Sequence, residues 1–465
     1  MGFIDMAATF DEYLVRGKRG YLIGIGGVSM APLAEVLHGG GLLISGSDMQ
    51  RSDKVAHLES LGIRVNIGHN AENIHAGYDF VVRTAAARDD NPEVKAAREL
   101  GIPVFERAQA WGSLMKRYKN ALCIAGTHGK TTTTSMCTHI LMAAEKDPTV
   151  MIGGTLPLLH AGHRVGAGDT IVMESCEYYD SFLSFFPTIA VILDIDADHL
   201  DYFANLEAVQ TSFLKFARLV PPDGVVVANQ DDENTMVALS GLDRRVVTFG
   251  LSPESDIQAV NIVSRGAQTD FDILDHGKFF THLHLQVPGI HNVKNALAAA
   301  AATMTLGVTP TAVTYGLAGF RGANRRFEFK GKYNGADVYD DYAHHPGELK
   351  ALLDAVEPLG YKRVVVIFQP HTYSRTNALF DDFVRQLKRP DLTILAEIYA
   401  ARETNTLGIS SGDLAKEIPY SIFRPTFDEI ETILRASVQP GDLVLTVGAG
   451  DVYRIGEDLV ASEKK

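Results

Sequence analysis

The chain is 465 residues long, which suggests about three compact domains and excludes a single small module. Its 43 Lys and Arg against 57 Asp and Glu leave a formal charge of −14, which argues against a general grip on a nucleic-acid backbone but not against a local nucleotide site. With 46% apolar and 22% charged residues, the composition is globular rather than disordered.

Cys123, Cys137 and Cys176 are too few and too scattered for a disulfide framework or a cysteine-rich zinc site, so a reducing, cytoplasmic setting is expected. The first ten residues, MGFIDMAATF, lack a basic region followed by an apolar core, and no run of about 18 apolar residues follows anywhere. Neither secretion nor a membrane partner is expected.

Along the chain, short apolar strand-like runs alternate with glycine-containing turns and helix-period segments, the pattern of parallel sheets covered on both faces. The fold class is α/β. The first group of strands begins at YLIGIGG (from Tyr21) and continues with LLISGSD (ending at Asp48), RVNIG, DFVVRTAAA and PVFER, which defines a domain over residues 1–118. A second domain, 119–325, starts with the strand ALCIAGT and contains TIVMES, TIAVILDI and GVVVAN, then the Ala-rich segment Ala296 to Ala302, which reads as a buried helix. The third, 326–465, follows the basic cluster RGANRRFE and carries ADVYDDYA, RVVVIFQP, LTILAEIY and DLVLTVGAGD.

The strongest local signal is Gly126-Thr127-His128-Gly129-Lys130-Thr131-Thr132, directly after a strand and before a helix. Backbone N–H groups of such a turn can surround phosphate oxygens, the lysine can neutralise developing charge and the threonine hydroxyl can ligate Mg²⁺. The spacing is not that of the generic P-loop, and a tight turn with a solvated lysine is the alternative. Gly24-Ile25-Gly26-Gly27-Val28-Ser29 resembles a dinucleotide fingerprint with serine in place of the third glycine, and Asp48 ends the next strand. It fits NAD, the pyrophosphate of a UDP-sugar, or glycines that serve only close packing.

Glu174 ends TIVMES and His199 follows TIAVILDI within Asp196-Ala197-Asp198-His199-Leu200-Asp201. Residues at the carboxyl ends of sheet strands converge on one crevice, where these two could hold a divalent cation or act as ordinary capping groups. In HNVKN, Asn292 and Asn295 could read a base through their amides or cap the Ala-rich helix. Arg325 and Arg326 stand where a guanidinium could clamp a phosphate. In the last domain, Asp340-Asp341-Tyr342-Ala343-His344-His345-Pro346 and Phe368-Gln369-Pro370-His371-Thr372-Tyr373-Ser374-Arg375-Thr376 each follow a strand, where they suit proton handling, metal binding or a carboxylate ligand.

Taken in order, GIGGVSMAPLA with SGSD, GTHGKTTTT, ESCEYYDSFL, DADHLDYF, PGIHNVKNALAA, RRFEFKG, DDYAHHP, FQPHTYSRT and GAGDVY resemble the Mur ligase family over nearly the whole chain, and most closely its alanine-adding branch. The resemblance implies a Rossmann-like N-terminal domain for a UDP-sugar, a P-loop-like central ATPase domain and a Rossmann-like C-terminal domain that receives the amino acid. It implies ATP-dependent joining of L-alanine to the lactyl carboxylate of UDP-N-acetylmuramate through an acyl phosphate, in peptidoglycan synthesis for cell-wall growth and division. A tripeptide-recycling ligase of the same family is the nearest alternative. An NAD-dependent oxidoreductase, from a different class, would leave GTHGKT without a role.

By the same resemblance, Gly26, Gly27, Ser29, Asp48 and His69 hold the UDP-sugar, and Gly126 to Thr132, Asn292, Asn295, Arg326 and Asp341 hold ATP. Lys130 neutralises phosphate charge, while Thr131, Glu174 and His199 hold Mg²⁺, with two ions expected. His344 meets ATP or the incoming amine, and Arg375 meets the alanine carboxylate. Three departures from the family pattern stand out. Phe213 occupies the place where several branches carry a carbamylated lysine, with Lys215 two residues on. Thr372 stands where some alanine-adding members carry an arginine, and Cys176 interrupts the acidic ESCE segment.

Overall fold

The computed structural model describes residues 9–463 apart from 85, 201 and 402, so most of the N-terminal stretch MGFIDMAATF and one aspartate of DADHLD lie outside the described residues. In chain order the strands are β1 (Arg19–Ile23), β2 (Leu43–Asp48), β3 (Arg64–Ile67), β4 (Phe80–Arg83), β5 (Val104–Glu106), β6 (Asn120–Ala125), β7 (Thr149–Leu156), β8 (Ala161–Arg164), β9 (Thr170–Glu174), β10 (Ile189–Ile192) and β11 (Val225–Asn229). They continue with β12 (Val246–Gly250), β13 (Ile257–Arg265), β14 (Gln268–Asp275), β15 (Lys278–Leu285), β16 (Glu328–Tyr333), β17 (Ala336–Asp341), β18 (Arg363–Phe368), β19 (Leu392–Leu395), β20 (Ile422–Phe423) and β21 (Asp442–Val447). The chain forms two compact units. The first holds residues up to Ile195 with Gln210–Val247 and Ala302–Gly307, and the second holds Asp196–Val209, Thr248–Ala301 and Val308 onward.

In the first unit, β3-β2-β1-β4-β5 form an all-parallel sheet whose order reverses between β1 and β4, which opens a crevice at the carboxyl ends of the strands. Tyr21, Ile23, Val81, Val94, Ala97 and Ile102 pack one side of it into a core. A second set of strands runs β11-β10-β6-β9-β7-β8, with β6 central and parallel to both of its neighbours. Strand β8 pairs antiparallel with β7.

In the second unit, the last sheet runs β16-β17-β21-β18-β19-β20, with β16 alone antiparallel. Successive residues of its strands feed opposite cores, as a pleat of period two requires. Val366, Phe368, Leu443, Leu445 and Val447 join one cluster, whereas Val365, Ile367 and Val444 join the other. Both faces are therefore covered, which explains the almost unbroken apolar runs RVVVIF and DLVLTV. The helix Ile290–Met304 carries the Ala-rich segment, and Ala296 through Ala302 are at most 1% exposed.

One part of the second unit differs from the sequence reading. Residues 257–285 form the antiparallel ribbon β13-β14-β15, for which no strands had been expected. The alternation is present in the chain, with Ile257, Ala259, Phe271, Ile273, Leu283 and Leu285 buried, but one-sided strands are obscured by their charged outer faces.

Candidate active site

The phosphate-loop candidate begins where β6 ends. Gly126 has φ 148° and Gly129 φ 78°, backbone conformations that a side chain at either position would strain. Gly129 caps the helix Lys130–Ala143, so Lys130, Thr131 and Thr132 form its first turn. The loop is braced from below by Asp194, whose Oδ1 accepts the His128 N–H at 2.8 Å and whose carbonyl accepts the Thr127 N–H at 3.1 Å. Burial pushes the Asp194 carboxyl up to about 6.

Lys130 does not reach into solvent. Its Nζ donates to the Gly126 carbonyl, to the Thr127 carbonyl at 3.0 Å and to Glu177 Oε2 at 3.1 Å. The lysine side chain is 14% exposed and the glutamate 2%. Burial works against the ammonium, but the Glu177 carboxylate, seconded by Glu174, holds it well above its ordinary range. The charge is thus folded back on the loop.

Beside it, Thr131 Oγ1 donates to Glu174 Oε1 at 3.0 Å, and the Gly153 N–H donates to Glu174 Oε2 at 2.7 Å. A Cβ at position 153 would stand 2.5 Å from Glu174 Oε1, so glycine there is what lets the carboxylate lie against the β7 backbone. Hydroxyl and carboxylate oxygens at this spacing are a hard donor set, suited to Mg²⁺. Although Cys176 is an exposed residue, desolvation of its sulfur and the Glu177 carboxylate push the thiol up to about 12, which disfavours a reactive thiolate. Phe213 is fully buried and stands edge-to-face with Phe182 at 5.3 Å, while Lys215 is exposed, so a carbamylated lysine has no counterpart on this helix face.

At the first sheet, Gly26 N–H donates to Asp48 Oδ2 at 2.9 Å, tying the glycine loop to the end of β2. The Ser29 hydroxyl accepts from Arg107, and Trp111 Nε1 donates to the Ser29 carbonyl at 3.1 Å. His69 Nδ1 lies 2.8 Å from Glu93 Oε2. Neither Arg107 nor Glu93 was singled out by sequence reasoning, since each stands in a segment without a recognisable motif.

In the second unit, Arg325 donates to Asp340 Oδ2 (2.9 Å) and to the carbonyls of Gly448 (2.6 Å) and Gly450 (2.9 Å), so it is a structural strut. Its neighbour Arg326 makes a long ion pair to Glu348, at 3.6 Å, and its guanidinium lies 5.1 Å from the Tyr342 ring centre. Asp341 accepts the N–H groups of Ala343 (2.8 Å) and Phe327 (2.7 Å), yet burial dominates and raises its carboxyl to about 6. Asn292 donates to the Pro288 carbonyl at 2.7 Å and accepts from Asn295 at 3.4 Å, both 8% exposed.

His344 and His371 face one another with ring centres 5.8 Å apart, and burial lowers each to about 4, so both imidazoles are neutral near pH 7. Arg375 donates to His371 Nδ1 (3.2 Å) and, through Nη2 and Nε, to Asp198 Oδ1 (3.1 and 3.2 Å). Asp198 is held well below the usual carboxylate range, burial opposing and Arg375 prevailing. His199, with φ 54°, sits 3.8 Å from the same aspartate. The guanidinium expected to meet a substrate carboxylate thus has a carboxylate of its own, a pairing that sequence spacing of 177 residues cannot reveal.

A parallel sheet carrying a glycine turn at a helix N-terminus, with a lysine, a threonine and a carboxylate gathered around it, has the form of a nucleotide site in an enzyme of the α/β class. The chain belongs to the Mur ligase family. Family models match it at residues 20–119 (Mur ligase family, catalytic domain), 124–303 (Mur ligase middle domain) and 325–450 (Mur ligase, glutamate ligase domain). It is 46% identical to the UDP-N-acetylmuramate–L-alanine ligase of Caldanaerobacter subterraneus subsp. tengcongensis, covering 97% of this chain and 99% of that one. Among solved structures, the UDP-N-acetylmuramate-alanine ligase of Thermotoga maritima is similar with a TM-score of 0.79 at 31% identity, over 96% and 99% of the two chains. The UDP-N-acetylmuramate:L-alanyl-γ-D-glutamyl-meso-diaminopimelate ligase of Neisseria meningitides is similar over 66% of this chain and all of that one, with TM-score 0.61 and 30% identity.

Proposed function

We infer that the protein is an ATP-dependent ligase that forms the amide between L-alanine and the lactyl carboxylate of UDP-N-acetylmuramate, in peptidoglycan precursor synthesis. The observation that carries this reading is identity of 46% with an alanine ligase over 97% of the chain, with the phosphate loop and its lysine intact.

The chemistry accounts for the residues. A carboxylate oxygen is a poor leaving group, so the lactyl carboxylate first attacks the γ-phosphorus of ATP and ADP departs. The alanine amine then attacks the acyl carbon, and phosphate leaves from the tetrahedral intermediate. Phosphoryl transfer asks chiefly for positioning and charge neutralisation. Lys130 would exchange Glu177 for the phosphate. Thr131 and Glu174 would hold Mg²⁺, which supplies further charge neutralisation when bound, and His199 is the candidate for a second ion. Arg326, with its weak internal pairing, is the candidate phosphate clamp, Asp341 and His344 the contacts to ATP or the amine, and Arg375 the contact to the alanine carboxylate. Asn292 and Asn295 are assigned to adenine, and Gly26, Gly27, Ser29, Asp48 and His69 to the UDP-sugar. Domains are assigned as 1–118 for the UDP-sugar, 119–325 for ATP and 326–465 for the amino acid.

No helix among the described residues is long and apolar enough to cross a membrane, in keeping with a cytoplasmic enzyme acting on a water-soluble nucleotide sugar. The test is phosphate release with ATP, Mg²⁺ and UDP-N-acetylmuramate, comparing L-alanine with the L-Ala-D-Glu-diaminopimelate tripeptide. Release that requires the sugar and L-alanine is expected. Release with the tripeptide alone would move the protein to recycling, and no release with either would remove the ligase assignment.

A further inference from the structure

In the second unit, β18 and β19 lie side by side and parallel, so the loops that follow them leave the sheet at the same edge. The loop after β18 carries His371 and runs into the helix Tyr373–Ala378, which holds Arg375. The loop after β19 is zipped to it. The Tyr399 N–H donates to the Pro370 carbonyl at 2.8 Å, and the Thr372 N–H donates to the Tyr399 carbonyl at 2.9 Å. The His371 ring stacks on that of Tyr399, with centres 5.7 Å apart. Glu403, further along the same loop, closes the join. Its Oε2 accepts the Ser374 N–H at 2.9 Å and its Oε1 accepts the Ser374 hydroxyl, so one carboxylate holds one residue twice.

The hold falls where the backbone needs it. Thr372 precedes the helix at φ 68°, an uncommon conformation for a β-branched residue and one that persists only where the surroundings over-determine it. The residue at this position ordinarily caps its helix with its own side chain, yet Thr372 makes no such bond. Glu403 supplies an acceptor from the other loop instead. From inside the helix, Thr376 Oγ1 donates to the Thr372 carbonyl at 2.6 Å. Arg375 lies just beyond Ser374 and donates back to His371 Nδ1 at 3.2 Å, so a rotation about Thr372 would displace the guanidinium relative to the imidazole. A guanidinium meets a carboxylate through two parallel N–H groups, and its orientation therefore counts as much as its charge.

We propose that Glu403 is a positioning residue for the amino-acid substrate: it holds Ser374, and through Ser374 the start of the helix, so that Arg375 is presented to the substrate carboxylate in the orientation a bidentate contact needs. This rests on the reading of Arg375 as that contact, and adds to it the residue that aims the guanidinium. Glu403 acts through Arg375 and not on the reacting atoms, so its loss weakens amino-acid binding and leaves the chemical step nearly as fast.

The experiment is steady-state phosphate release by the full chain with ATP, Mg²⁺, UDP-N-acetylmuramate and varied L-alanine, for wild type, Glu403→Ala, Arg375→Ala and the double variant. Glu403→Ala should raise the KM for L-alanine about tenfold, with kcat and the KM values for ATP and the UDP-sugar each within about threefold of wild type. In the Arg375→Ala background the same change should add less than about twofold, because a residue that acts through Arg375 has nothing left to aim. A merely structural Glu403 would multiply the two effects, or spread its loss over every substrate and kcat, and either result overturns the proposal. If Glu403→Ala does not fold, Ser374→Ala, which removes one of the two donors, must raise the KM for L-alanine about threefold and leave that for ATP unchanged. An unaltered KM for L-alanine in Ser374→Ala would then overturn it. Each of these failures leaves the ligase reading intact, whereas no release by the wild type with L-alanine would overturn both.

Discussion

Replacing Lys130 by methionine separates its structural pairing with Glu177 from the phosphate-binding role proposed for it. The change removes the cation but leaves Glu177, 2% exposed, facing a neutral stem. Breaking a buried pair by deleting one partner costs about 3–5 kcal/mol, because the remaining charge keeps its desolvation penalty. Lys130→Met should therefore lower the unfolding free energy read from urea melts of the free protein by an amount in that range, and Glu177→Gln by less, since the Lys130 ammonium retains the Gly126 and Thr127 carbonyls. The double variant Lys130→Met/Glu177→Gln should recover most of the lost stability, to within about 1–2 kcal/mol of wild type, because no uncompensated charge is left. Activity should not follow. Loss of one preorganised charged donor at developing phosphate charge costs about 10²- to 10³-fold in kcat, and the double variant should be as slow as Lys130→Met in phosphate release. Equal stability of Lys130→Met and wild type, or recovery of phosphate release in the double variant, would refute the reasoning.

Three further outcomes are expected. Gly153→Ala places a Cβ 2.5 Å from Glu174 Oε1 and should raise the Mg²⁺ concentration needed for half-maximal rate at least about fivefold while UDP binding stays unchanged; an unaltered Mg²⁺ requirement would take Glu174 out of the metal set. Arg375→Ala should raise the KM for L-alanine about tenfold or more and that for ATP much less, and equal effects on the two would move Arg375 away from the amino acid. Burial holds His344 and His371 at about 4, against 6.5 for an ordinary histidine, so the unfolded chain takes up their protons first as pH falls. Their contribution is present above pH 6.5 and is lost progressively down to about pH 4; the variant His344→Asn/His371→Asn should show a shallower acid decline in thermal midpoint, and an identical slope would contradict the assignment.

The parallel sheets were legible because burial on both faces writes itself as unbroken apolar runs, as at β6, β18 and β21. The glycine turn leading into the helix Lys130–Ala143 was legible for a related reason. Two glycines with positive φ, a lysine and a threonine must be adjacent in the chain to be adjacent at a helix N-terminus. The ribbon β13 to β15 was not, since a sheet wet on one face alternates charge with apolar residues and its strands mimic loop composition. Partners brought together by topology were invisible for another reason. Glu93 and His69 are 24 residues apart and Arg375 and Asp198 are 177 apart, and nothing in local spacing couples them. Sequence reading singled out Arg375 and His69, but only the fold shows that each lies against a carboxylate, Asp198 for the one and Glu93 for the other.

Amide formation by this route requires that the lactyl carboxylate be activated by γ-phosphorylation. The most direct measurement uses UDP-N-acetylmuramate labelled with ¹⁸O in that carboxylate and follows the label during turnover with ATP and L-alanine. Attack on the γ-phosphorus predicts one carboxylate oxygen in the released inorganic phosphate and ADP as the nucleotide product. Label in AMP, or unlabelled phosphate accompanying amide formation, would contradict it.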